Sequence, residues 1–408
     1  MRRGTNLPAV GGFNQTVVLD VIRRAPGGLS RVELAAATGL SSQTVSNVVR
    51  RLLDECLIVE VGKHIQGRGK PRVILQLDPN SRFAVGVHLD PTVVTYVVLD
   101  LCGHVIAHKR TRTPMVTSPE VVVATMAESI QSVMKTADVP IKRVLGVGIA
   151  SPGPIDLEHG TVVDPPLLEG WKDVPLRDAI SVATGMPVLL EKDVTAAVVA
   201  ELWTAKEDAS KDFAFLYYGT GIGVGLSLGG EAYRGTTGNA GDGGTLVVPT
   251  AGLPEHRRSE MLGHLATPQF LVEQAAEAGV LGGAPPGHDL AAIDDAFSHL
   301  VDLAEAGDPG AVMILDRAAG FIAAALVSTV NLLDIHEVVF GGPAWSRVST
   351  RFRERIGTFI SGSSSRVTRH PIRLRDSAVG EDVAATGAAC LVLDSVLSPR
   401  PSDLLIAG

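Results

Sequence analysis

Cysteine is scarce in this chain of 408 residues: Cys56, Cys102 and Cys390 are the whole complement, and they lie far apart with no paired spacing. That argues against a disulfide framework and against a thiolate zinc cluster, and it fits a reducing cytosol. Long apolar runs are missing too. The most apolar stretch, Ala318 to Val330, is short for a bilayer span and is interrupted by Gly320, Ser328 and Thr329. No signal-type segment opens the chain, so the expectation is a cytoplasmic protein with no membrane partner. Nor is there the bias of a disordered or collagen-like chain, because hydrophobic residues make up 45% and charged residues 20%, with 44 Gly and 24 Pro. The length suits two or three domains of ordinary size with ample core.

Charge is present but unevenly placed. Residues 1–80 hold 11 Lys and Arg against 6 Asp and Glu, a charge of +5; the remainder holds 25 basic and 38 acidic residues, or -13, within the total of -8. A basic head therefore precedes an acidic body, and local patterns must say whether the head is more than a solvated surface.

From Phe13 to Arg24 the residues Phe13, Val17, Val18, Val21 and Ile22 recur at helical spacing, and Pro26-Gly27-Gly28 ends the segment. Ser30 and Glu33 form a capping box for a second helix that runs to about Thr38. Gly39 turns the chain, Leu40 closes the core under the turn, and Ser41 or Ser42 caps a third helix with Val45, Val48, Val49, Leu52 and Leu53 on one face. The spacing of Ala35, Gly39 and Val45 resembles a helix-turn-helix, in which a small residue, a turn glycine and a buried branched residue let two helices cross closely. The third helix exposes Ser42, Gln43, Thr44, Ser46, Asn47, Arg50 and Arg51, short polar groups at its start and cations toward its end, as a recognition helix does. Strands over 57–61 and 73–77 flank the cationic turn Gly67-Arg68-Gly69-Lys70-Pro71-Arg72, which makes a wing. Ser42, Gln43, Thr44, Ser46, Asn47, Arg50, Arg51, Arg68, Lys70 and Arg72 are the candidate contacts to a double-stranded DNA operator. The bland alternative is a three-helix interaction module with a charged loop.

Beyond Asp78-Pro79-Asn80 the pattern changes. Strands are expected over 83–89, 93–100 and 105–110, paired antiparallel, then a helix over 119–137 and a buried strand over 144–150 that ends in Ser151-Pro152-Gly153-Pro154. A strand over 188–191, a helix over 194–205 and a strand over 213–218 follow. A glycine-rich turn, Gly219 to Gly225, then leads into a strand over 226–228.

These residues carry a resemblance that covers almost the whole chain. Pro152 to Pro154, Gly170-Trp171 with Val174-Pro175-Leu176, Glu191 to Asp193, Gly219 to Gly223, and Asn331 to Asp334 followed by Gly341-Gly342 appear in order behind a winged helix-turn-helix. The chain resembles the ROK family of repressors, open reading frames and sugar kinases. The resemblance implies an α/β fold: an N-terminal winged helix-turn-helix over 1–80 and a two-lobed actin-like, sugar-kinase-like body. Lobe 1 is expected over 81–194, completed by about 383–408, and lobe 2 over 195–382, with nucleotide and hexose sites in the cleft between them.

Several positions depart from that family's kinases, whose first body strand ends in Asp-x-Gly-Gly-Thr. Here it reads His88-Leu89-Asp90-Pro91-Thr92: His88 is a poor magnesium ligand, Asp90 adds negative charge where phosphate would sit, and Pro91 removes a backbone donor. Asp193 stands where the general base would be, and Gly219 to Gly225 with Gly341-Gly342 match the second phosphate turn and the adenosine contact, although glycines at such turns are also required sterically. At the sugar positions Leu167, Thr245 and Ala266 replace polar groups, and Asp242 is a shortened carboxylate. The family's cysteine-rich loop has only His256 and His264, so no metal is expected. Asp193, Lys192, Asp242, Thr245 and His264 remain as candidate effector contacts.

The reading is a DNA-binding transcriptional regulator, a repressor of carbohydrate-related genes. Its body would be a dimerising unit and a sensor of a sugar or sugar derivative, with no catalytic residues and no cofactor. A homodimer on a pseudo-palindromic operator is expected, since each chain has one reading head. The alternative is an ATP-dependent sugar kinase with an accessory DNA-binding head. A constitutive regulator whose cleft binds nothing stays open.

Overall fold

The computed structural model describes residues 8–25, 27–64, 72–113, 118–168, 170–205, 209–250, 259–368 and 370–397. In the head, α1 (Pro8–Arg23), α2 (Arg31–Thr38) and α3 (Ser42–Asp54) are followed by the strands β2 (Ile58–His64) and β3 (Arg72–Leu77). A two-residue strand, β1 (Leu29–Ser30), joins them in the order β1-β3-β2, all antiparallel, with a bulge between Glu60 and Lys63. The caps follow local chemistry. Ser30 and Glu33 close their box reciprocally, Gly39 ends α2 at φ 70°, and Ser41, not Ser42, caps α3 by accepting from the Thr44 amide, each such cap contributing about 1 kcal/mol.

The body holds two five-stranded sheets. The first is built from β4 (Phe83–Leu89), β5 (Val93–Asp100), β6 (Val105–Arg112), β7 (Val144–Ser151) and β10 (Val188–Lys192) in the order β10-β7-β4-β5-β6. Helices α4 (Pro119–Thr136) and α5 (Leu176–Thr184) and the short hairpin of β8 (Ile155–Asp156) and β9 (Thr161–Val162) are its satellites. The second contains β11 (Phe213–Tyr218), β12 (Ile222–Leu228), β13 (Glu231–Ala232), β16 (Glu337–Gly341) and β17 (Arg373–Asp376), ordered β13-β12-β11-β16-β17. Helix α6 (Asp193–Thr204) precedes it. Between β13 and β16 lie the small ribbon of β14 (Val247–Pro249) and β15 (Ser259–Met261) and the helices α7 (Gly263–Ala266), α8 (Pro268–Glu277), α9 (Leu290–Glu305) and α10 (Pro309–Leu333). Helix α11 (Trp345–Gly362) follows β16, and α12 (Val383–Leu397) returns to the first sheet.

Two sequence expectations need correction. The glycine-rich turn is only Gly219 to Gly221, because β12 begins at Ile222 and takes in Gly223 and Gly225. A Cβ on Gly223 would lie 2.1 Å from Val194 Cγ1, and one on Gly225 2.7 Å from the Val194 carbonyl, so both glycines serve the packing of α6 on this strand. Secondly, the apolar stretch at Ala318 to Val330 is the middle of a longer helix. Among the described residues α10 alone is long and apolar enough to cross a membrane, and its Ile314, Leu315, Ile322 and Leu326 are buried in the core of the second lobe.

Head and body share one hydrophobic core. Val18, Leu19 and Ile22 of α1 and Val48, Val49 and Leu52 of α3 cluster with Ala84, Val97 and Leu99 of the first sheet and with Cys390, Leu393 and Leu397 of α12. The Arg23 guanidinium lies 4.1 Å over the ring of Trp203 at the end of α6. The head is thus docked on the body by apolar burial, about 25 cal/mol for each Å² removed from water.

Candidate functional site

On α3 the buried stripe Val45, Val48, Val49 and Leu52 forces the polar residues outward. Ser42, Gln43, Asn47 and Arg50 are exposed, and Thr44 and Ser46 are partly so. Gln43 Nε2 donates to Asn47 Oδ1 at 3.2 Å, which presents two amides side by side, a geometry able to pair with an adenine edge. Ser46 spends its proton on the Ser42 carbonyl at 2.8 Å. Arg51 is exposed too; its guanidinium donates to Gln15 Oε1 on α1 at 2.6 Å, and Gln15 donates in turn to Glu55, which ties α3 to α1. Arg72 is exposed at the start of β3, while Arg68 and Lys70 lie outside the described residues.

The second site is the cleft between the two sheets. It encloses a cavity of about 360 Å³ lined by His88, Asp90, Thr92 and Arg110 from one side, Gly219, Thr220, Asp294, Pro343 and Arg347 from the other, and Glu381 at its rim. Residues separated by about 130 positions meet on its floor. Thr220 Oγ1 donates to the Asp90 carboxylate, 3.0 Å from each oxygen, while the Thr92 amide donates to Asp90 Oδ1 at 2.8 Å. The Tyr217 hydroxyl lies 3.3 Å from His88 Nε2, with the rings edge to face. Both cations of the wall are already paired, Arg347 with Asp294 at 2.7 Å and Arg110 with Asp382 at 2.6 Å and Glu381 at 3.1 Å.

Asp193 opens α6 beside this floor. Burial raises its pKa above the usual carboxylate range, and Asp90 adds to the rise, against the pull of His88 and Lys192. Burial likewise pushes the Tyr217 phenol far up, aided by the carboxylates of Asp193, Asp90 and Asp382. Lys192 is buried, and its ammonium donates to the Asn239 carbonyl at 3.1 Å. The elements bearing the other candidates adjoin this point: Gly241 packs on Val194, and Gly244 packs on Gly263. Asp242 accepts from the Thr245 hydroxyl through its own backbone carbonyl at 2.9 Å, and the His264 ring pairs with Glu260 at 3.2 Å and lies against Phe270. His256 lies outside the described residues.

Three functional residues escaped the sequence reading. Tyr217 looked like one more apolar member of a buried strand. Asn239 holds both backbone groups of Ile155, at 2.8 Å each, and so fixes the Pro-Gly-Pro loop against Lys192; it precedes Asp242 by three residues, in a segment read only from Asp242 onward. Arg234 Nε pairs with buried Glu191 at 2.7 Å. Its signal was absent, because the pairing spans 43 residues.

Comparison with known proteins covers both parts. The model of the ROK family matches residues 84–395, and that of the MarR family matches residues 12–63. A putative xylose repressor of Caldicellulosiruptor sp. is 24% identical over 91% of this chain and 93% of its own length. A glucokinase of Halalkalibacterium halodurans is 24% identical over 77% of this chain and 96% of its own. Among solved structures, that of a ROK family transcriptional regulator described as a homolog of E. coli MLC protein superposes with a TM-score of 0.75 at 23% identity, covering 95% of this chain and 98% of the other.

Proposed function

The chain belongs to the ROK family, and from that premise we propose that it is a DNA-binding transcriptional regulator, a repressor of carbohydrate-related genes whose kinase-like body senses and dimerises rather than catalyses. Its relatives named as xylose repressors span nearly the same length, head included. A DNA-bound role places its work in the cytoplasm.

The observation that carries the reading is the path of α12. The helix starts after Glu381 and Asp382, which hold Arg110 in the cleft wall, and ends with Leu393 and Leu397 in the core that α1 and α3 share. In its second turn, Gly387 lies against the backbone of α6, whose first residue is Asp193. A ligand that changes how the lobes sit therefore tilts the support of the reading head. Such coupling operates when ligand and DNA prefer different lobe arrangements, and it acts equally in both directions.

Against catalysis stand the groups on the cleft floor. Asp90 sets a carboxylate where a kinase would receive phosphate, and the wall guanidiniums are spent on Asp294, Glu381 and Asp382. A sugar hydroxyl can instead donate to Asp193 or Asp242.

The test is a selection of duplexes from a random library, followed by binding at several salt concentrations. A two-fold site should emerge, bound by a dimer in sedimentation. Asn47→Ala should relax base preference by about 1–3 kcal/mol, whereas Arg68→Ala should weaken specific and random DNA alike and lower the salt slope by about one. Equal loss on all sequences in both variants would refute direct reading by Asn47. The kinase reading rests on the glucokinase relative and on Asp193 at the cleft. Hexose phosphorylation from ATP that disappears in Asp193→Asn would establish it.

A further inference from the structure

The hairpin joining β5 to β6 carries Asp100, Cys102 and His104, three donors of three kinds within five residues. The carboxylate, the thiol sulfur and the imidazole nitrogen lie within 4.8 Å of one another. We propose that this hairpin is a binding site for a thiophilic divalent cation of the zinc class, held by Asp100, Cys102 and His104 with solvent completing the shell.

The geometry of the turn carries the argument. Asp100 Oδ1 accepts from the amides of Cys102 and His104, at 2.8 and 2.9 Å, and so the backbone fixes the carboxylate. Its second oxygen, Oδ2, faces His104 Nδ1 at 3.1 Å. In a tetrahedral zinc shell an oxygen and a nitrogen each about 2.1 Å from the metal stand about 3.4 Å apart. Oδ2 and Nδ1 therefore stand close to the spacing of two ligands, and a cation takes the place of the proton between them, which leaves to solvent. Cys102 supplies the third ligand: its S–H bond breaks, a metal–sulfur bond forms, and the proton leaves to solvent. A soft sulfur beside an imidazole selects zinc-class ions over magnesium or calcium, which take oxygen shells. Asp100 is buried, Cys102 half-buried and His104 exposed, so one face of the site is open to an entering ion.

The place differs from the family's cysteine-rich loop, and it needs one cysteine, not the paired cysteines that this chain lacks. It also adjoins the seam between head and body. A Cβ on Gly103 at the hairpin tip would lie 2.4 Å from Trp203 Nε1, and the Arg23 guanidinium of α1 lies over the same indole.

The test uses the full chain, stripped with a chelator and titrated with Co²⁺. One equivalent should raise a sulfur-to-cobalt charge-transfer band that stoichiometric Zn²⁺ abolishes and excess Mg²⁺ leaves in place. Cys102→Ser should lose the band, Cys56→Ser should keep it, and His104→Ala should weaken cobalt binding at least about tenfold. Melting temperatures measured in chelator report whether the variants are folded. The absence of a band in the wild-type chain, its persistence in Cys102→Ser, or its displacement by Mg²⁺ would each overturn the proposal.

Discussion

In both sheets of the body a three-strand antiparallel meander continues, on the side of its first strand, into two parallel strands: β4 is flanked by β5-β6 and β7-β10, and β11 by β12-β13 and β16-β17. Each sheet also lays bare glycines against a helix. Gly86 and Gly148 receive α12, with the Ala385 and Ala388 carbonyls where a Cβ would be, and Gly223 and Gly225 receive α6. The two helices then cross at Gly387 and Ala196. The turns after the two first strands are where the lobes part. Lobe 1 has a turn full of side chains, Asp90-Pro91-Thr92, while lobe 2 has Gly219-Thr220-Gly221. Packing demands the seam glycines whatever the cleft binds, whereas the turns facing the cavity meet fewer packing demands. Topology is thus shared, and the chemistry of the turns is free to diverge.

The sharpest way to break the shared seam is Gly387→Ala. The added Cβ would lie 1.7 Å from the Ala196 carbonyl, so one helix must move, and a loss of about 3 kcal/mol or more is expected in urea unfolding. Gly223→Ala tests the lobe 2 half, where the clash is with a valine methyl; about 1–3 kcal/mol is expected by the same measurement. A cost near zero at either position would mean the glycines are kept for something other than packing.

The contrast between the turns is sharpened by making lobe 1 resemble lobe 2. In Asp90→Gly/Pro91→Gly the carboxylate is removed and a backbone donor is restored. Nucleotide affinity measured by calorimetry should rise at least about tenfold, or about 1.4 kcal/mol. The same variant loses the bond from Thr220 across the cleft. Unchanged affinity would show that paired wall cations, rather than the turn, exclude phosphate.

The smallest effect concerns Asp193. A carboxyl whose pKa is higher in the folded state than in the unfolded one contributes stability below the unfolded pKa. That contribution is lost as pH rises through the folded pKa. At pH 7 this half-buried charge is therefore a cost, and Asp193→Asn should raise the melting temperature there, with the gain shrinking as pH falls toward the carboxylate range. A variant less stable than wild type at pH 7 would mean that His88 and Lys192 more than offset the burial.

The head was largely legible from its residues, because caps, turn glycines and helical stripes are local. The Ser30–Glu33 box and the Gly39 turn stand as read, and the choice between Ser41 and Ser42 was left to the backbone. The strand β1 was missed because two residues carry no pattern of their own and pair only through β3. The bond between Arg51 and Gln15 carried no local signal, since the two stand 36 residues apart on different helices.

The cleft was legible as a list and illegible as an arrangement. His88, Asp90 and Asp193 were picked out by their positions in motifs, while Tyr217 and Asn239 acquired meaning only when distant segments met. The residues alone determined the order of elements, the basic reading head and the side chains set at each turn, because those depend on periodicity, capping and residue type. Folding decided that Thr220 closes on Asp90, that the wall cations are neutralised, and that α12 joins the cleft to the head. These are contacts across about 50 residues or more of chain, made by sheet topology and close helix packing, and no local pattern encodes which side chains such contacts bring together.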